Sequence, residues 1–100
     1  MKQKYITAGV CDQISLSLQL LIWGLSTSLP CRADYLMVFR LEPGTENGKM
    51  VQIVRQSQEV PEFQRTIAFF CDEPVNEKLF LIKDGVDADE IETLLLAEEY

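Results

Sequence analysis

The spacing of apolar residues changes once along this chain, at Pro30, and that change constrains the fold more than any other feature. Before it, Ile14, Leu18, Leu21, Ile22, Leu25 and Leu29 fall within about 100° of one another on a helical wheel, which predicts an amphipathic helix over residues 14–29 with Asp12 or Ser15 as N-cap. Pro30 ends it, because proline has no backbone donor and disfavours helical angles at the residue before it. After it the period is two. Tyr35, Met37, Phe39 and Leu41 alternate with Leu36, Val38, Arg40 and Glu42, and Met50 to Arg55 form a return strand across a six-residue loop bounded by Pro43-Gly44 and Asn47-Gly48. Further strands are expected at Lys4 to Thr7, Gln64 to Cys71, Lys78 to Lys83 and Glu92 to Ala97. Residues 91–99 also have the composition of a short helix. Pro61 bars residues 59–62 from a central strand.

A single helix followed by a run of strands leaves no room for repeated βαβ crossovers. The expected fold class is α+β, one N-terminal helix packed on a mainly antiparallel β-sheet of five or six strands. One hundred residues build one core, so residues 1–100 are read as a single domain. Strands 36–41, 79–82 and 94–97 are apolar on both faces, which predicts that they are central and covered twice.

Chemistry is harder to place. The chain has no histidine, which removes Ser-His and Cys-His catalysis and the commonest imidazole metal ligand. Cys11, Cys31 and Cys71 are odd in number and widely spaced, so they read as small buried hydrophobes in a reducing cytosol rather than as a disulfide framework or a zinc site. A thiol enzyme would need one of them beside a lysine in a pocket. The five glycines form no phosphate loop, and Asp84, Asp87, Asp89, Glu90 and Glu92 lack the glycine and ligand spacing of an EF-hand. No catalytic residue, cofactor or metal is therefore expected.

Charge is uneven. Residues 1–57 carry six Lys/Arg against four Asp/Glu, a net +2, and residues 58–100 carry three against twelve, a net −9. That balance repels phosphate backbones and argues against direct nucleic-acid binding. The acidic half reads as a solvated surface, with mimicry of nucleic-acid charge against a DNA-processing enzyme as the alternative. Lys2, Lys4 and the apolar run from Ile14 to Leu29 imitate a signal peptide, but Asp12, Gln13 and Gln19 interrupt it and the run is too short to span a bilayer.

On the helical wheel a second apolar group, Leu16, Leu20 and Trp23, lies opposite the core stripe, flanked by serines. A helix lying on one sheet needs one apolar face. The second is expected to be covered by the C-terminal segment, by a protein partner or by a second copy in a homodimer, where a two-fold contact would bring equivalent Leu20 and Trp23 side chains together. A non-enzymatic, cytoplasmic protein-interaction module is the function this favours.

Several blocks taken in order carry a family resemblance: Ile6-Thr7-Ala8-Gly9-Val10, Ile14-Ser15-Leu16 through Leu20 and Trp23, Asp34-Tyr35-Leu36 with Val38-Phe39, Ser57-Gln58-Glu59 with Pro61-Glu62-Phe63, and Leu94-Leu95-Leu96-Ala97-Glu98-Glu99-Tyr100. The pattern resembles the staphylococcal-type domain of unknown function 960, a family of small cytoplasmic proteins of low-GC Gram-positive bacteria also seen on mobile elements. The resemblance implies an α+β domain in a bacterial cytosol and transfers no catalytic residue. Family members reach the final run through a shorter, histidine-bearing segment, whereas Asp84 to Glu92 is acidic and histidine-free here, so no role carries over to that loop.

Overall fold

Asn47-Gly48 sets the centre of the fold. Both residues take positive φ, 53° and 77°, the left-handed pair that a two-residue hairpin turn requires. The computed structural model describes residues 3–85 and 90–100. Within them the turn joins β2 (Leu36–Glu46) to β3 (Lys49–Gln58), and β1 (Gln3–Ile6), β4 (Phe63–Phe70), β5 (Glu77–Asp84) and β6 (Ile91–Leu96) complete a six-stranded sheet in the order β1-β6-β5-β2-β3-β4. Neighbours pair antiparallel except β1 and β6, which are parallel. Two helices, α1 (Ala8–Gln13) and α2 (Leu16–Thr27), and a 3-10 turn at Ala97–Glu99 accompany the sheet, so the fold is α+β.

The six-residue loop expected around Asn47-Gly48 is shorter than that. The β2–β3 ladder runs on to Glu46 opposite Lys49, leaving two residues for the turn. Pro43 fits within β2 because β5 reaches only to Leu41, so no neighbour asks for the missing donor. Gly44 is there for space: a Cβ would lie 2.7 Å from Ile53 Cδ1 and 3.2 Å from Val51 Cγ2.

The helix expected over 14–29 is two helices. Ile14 and Ser15 adopt extended backbone, Thr7 caps α1 by accepting from Val10 N, and Ser15, not Asp12, caps α2 by accepting from Leu18 N. Buried Gln19 secures the break by donating to Ile14 O at 2.8 Å. Residue Thr27 ends α2 two positions before Leu29, where Ser26, Thr27 and Ser28 hydroxyls each donate to the carbonyl three residues back. The alternative of a helix over 91–99 gives way to strand through Leu96 and one 3-10 turn.

Val10, Ile14, Leu18 and Ile22 pack on Met37, Phe39, Leu41, Val54, Leu79, Leu81, Leu94 and Leu96, all from one face of the sheet. Each such burial stabilises by about 1.5–3 kcal/mol. The expectation that the central strands are covered on both faces is corrected here. Both helices lie on one side, and among the described residues no helix or strand lies over the other, where Tyr100 packs its ring against Phe80 beside buried Leu95.

Candidate functional site

The outward helix residues do not form one patch. Leu16 and Leu20 are 68% and 62% exposed, whereas Trp23 is half-buried and packs on the core, with Lys4 Nζ 4.9 Å from its ring centroid. The indole is long enough to turn towards β1, which the two leucines cannot reach. The C-terminal segment does not cover them either. It folds against α1, where Glu99 accepts from Thr7 Oγ1, Gly9 N and Leu96 N, and these bonds, the Thr7 one foremost, hold its carboxyl below the ordinary value.

On the helix-covered face, β3 carries a row of buried glutamines that the sequence did not advertise. Gln52 donates to Glu42 O and Val75 O and accepts from Val75 N; Gln56 donates to Leu25 O; Gln58 donates to Arg32 O and Pro61 O and accepts from Asp34 N. Beside them Arg65 donates to Gln56 Oε1 at 2.8 Å and to Leu25 O at 2.8 Å, placing a cation at the C-terminal end of α2. These amides tie loops and a helix end to the sheet. Among the described residues no buried side-chain nitrogen or oxygen lacks a partner, so the row offers no open valence to a ligand.

At the β1–β6–β5 margin Glu92 sits 2.6 Å from Lys4 Nζ and 2.7 Å from Lys83 Nζ. Burial pushes its carboxyl up, but the two ammonium groups outweigh that and hold it below the ordinary value. A hollow of about 400 Å³ there brings Cys31 together with Lys4 and Lys83, the neighbourhood a thiol enzyme would need. Both ammonium groups are held by Glu92, and Cys31 Sγ accepts from the Gln58 amide at 3.7 Å. Cys31 should therefore react with iodoacetamide at the rate of an ordinary thiol, read by mass spectrometry of the alkylated peptide. Labelling more than about tenfold faster would favour the enzyme instead. Of the acidic run, Asp87 and Asp89 lie outside the described residues, and no group of three or more His, Cys, Asp or Glu side chains among the described residues could hold a metal ion.

A second hollow, about 700 Å³, lies between the first turns of α2 and the far end of β4, with Leu18, Leu21, Ile67 and Phe69 along its walls. Cys71 and Glu73 line it too.

The uncovered sheet face is organised in rows set by the strand register. Lys78, Arg40 and Arg55 stand side by side across β5, β2 and β3. The next row is Leu95, Phe80, Val38 and Ser57, and the one beyond is Thr93, Ile82 and Leu36. Tyr100 stands edge-on to Phe80 with ring centroids 5.6 Å apart. At the far end Asp84 closes β5, and Asp34, Glu59 and Glu62 rim a hollow of about 280 Å³ floored by Leu36 and Val38. From the basic row towards Leu36 and beyond, the face runs from basic through apolar to acidic, while on the other side of the basic row it continues through Glu42 and Ile53 to Gly44, Val51 and Phe70.

No protein-family model matches the chain, and no curated protein does. Among solved structures, the crystal structure of a protein of unknown function from Enterococcus faecalis is similar, with a TM-score of 0.72 and 24% identity over 98% of this chain and 90% of that one. At that identity the likeness shows the fold. No helix among the described residues is long and apolar enough to cross a membrane.

Proposed function

We propose that the protein is a non-enzymatic protein-interaction module whose working surface is the uncovered face of its sheet. The observation that carries this reading is the apolar centre of that face: Leu36 with Ile82 and Val38 with Phe80 form two adjoining cross-strand pairs on β2 and β5 where a second layer would normally sit. The module is proposed to act in the bacterial cytoplasm, with three free thiols in support, and to belong to the family that its sequence blocks resemble. Neither nucleic acid nor a membrane is its direct target. Acidic mimicry of DNA is the weaker reading, because a mimic needs carboxylates along its contact surface and this face carries a basic row across three strands. Leu16 and Leu20 form a smaller second surface on α2, from which Trp23 is turned away.

The test compares Val38→Asp on the sheet face with Leu20→Asp on the helix, both checked for folding by circular dichroism. Affinity capture from lysate of the host, with mass spectrometry, should show the wild-type partner, including the chain itself, lost in Val38→Asp and retained in Leu20→Asp. The reverse pattern moves the working surface to α2. Retention by both variants overturns the assignment to either face.

A further inference from the structure

We infer, building on the reading of the uncovered sheet face as the working surface, that its occupant is a second copy of this chain, seated face to face about a two-fold axis that runs across the strands. The basic row is the starting point. Arg40 lies directly opposite Arg55 on one side and Lys78 on the other, an arrangement of like charges that costs stability in a sheet. Glu42, 3.5 Å from the Nε of each arginine, leaves the row with a net positive charge in a chain whose total is −7. Asp34 and Asp84 lie three rows further along the strands, about 20 Å away at the usual strand rise, and Glu59 and Glu62 share the rim of the same hollow as Asp34.

Two sheets facing each other about a two-fold axis have that axis in the plane between them. If it runs along the strands, the basic row meets its own copy. If it runs across them, between the row of Val38 and Phe80 and the row of Leu36 and Ile82, the basic row of each copy meets the acidic end of the other, and the apolar rows exchange partners in the middle. The face is self-complementary in the second arrangement alone. An aligned pair of twisted sheets about 10 Å apart gives these side chains the spacing at which sheet faces interdigitate.

Light scattering on the whole chain at about 100 µM and low salt is expected to give twice the chain mass. The double variants Arg40→Glu/Arg55→Glu and Glu59→Lys/Glu62→Lys, altered at the rim and verified as folded by circular dichroism, should each raise the dissociation constant at least tenfold and run as monomers. Mixed one to one, they should regain the dimer mass, because each restores the other's lost complement. A dimeric variant, or a mixture that stays monomeric, overturns the inference. So does a monomeric wild type, and capture of a partner that Val38→Asp abolishes would then show that the working surface stands with a different occupant. Capture indifferent to Val38→Asp removes the surface as well.

Discussion

Replacing Gln52 by Leu should lower the stability of the fold by about 2–4 kcal/mol, seen as a fall in the urea midpoint with little change in slope. Leucine is close to glutamine in size and is the better residue for an apolar interior, so a loss of this order has to come from hydrogen bonding. Gln52 is 1% exposed, and its amide serves Glu42 O, Val75 O and Val75 N at 3.1, 3.1 and 2.7 Å. Those backbone groups belong to two different segments, and with Leu in place they have no side-chain amide to pair with. The segment before β5 loses its tether to β3 at Val75, which itself packs on the core. Gln64→Leu is the control, since Gln64 is exposed on β4 and should shift stability by no more than about 0.5 kcal/mol. If the two substitutions have equal effects, apolar packing of Val75 holds that segment and the amide contributes nothing.

Lys83→Met should cost a similar amount, about 2–4 kcal/mol at pH 7, because it removes one of the two cations facing a carboxylate that is 4% exposed. Lys4, half-exposed at 49%, remains on the other oxygen and keeps the loss from being larger. The pH dependence follows from the direction of the Glu92 shift. Its carboxyl is held below the ordinary value in the folded state, so the stability it contributes is fully present above the unfolded value and is lost as pH falls through the folded one. Glu92→Gln should therefore be less stable than wild type at pH 7, with the gap narrowing once pH falls below the ordinary carboxylate value and closing as pH passes through the lowered folded-state one, where wild-type Glu92 takes up its proton. Glu99, also held low by its bond to Thr7, is present in both proteins and cancels in the comparison. A gap that is constant from pH 7 to pH 3 would show that the lysines do not perturb this carboxyl. Urea melts at stepped pH provide the measurement.

Local spacing was enough to establish most of the elements. Pro30 separates helix from sheet, Ser15 starts α2, Asn47-Gly48 turns the hairpin, and the alternation places β5 and the start of β2 to within a residue, although β2 runs four residues further than expected, to Glu46. Each depends on the backbone preferences of a few neighbouring residues, which any chain containing them shares. α1 escaped notice because six residues make too little of a helical period to register, and its cap, Thr7, also reads as the end of a strand.

What the strands face was decided elsewhere. From Met50 to Gln58 either alternating set could point inward, because each holds two apolar residues, Val51 and Ile53 on one and Met50 and Val54 on the other. Pairing with β2 places Gln56 beside Phe39 and Val54 beside Leu41, so the glutamines go under the helices and Arg55 goes to the open face. The parallel union of β1 with β6, the turn of Trp23 towards Lys4, and the row that joins Arg40, Arg55 and Lys78 likewise bring together residues far apart in the chain. The period of a segment is a property of its own residues, whereas the side that is buried, and the charges that become neighbours, depend on which strands pair and in what register. Most elements of this protein were legible in its sequence for the first reason, and its open, charge-graded face became visible only in the assembled sheet for the second.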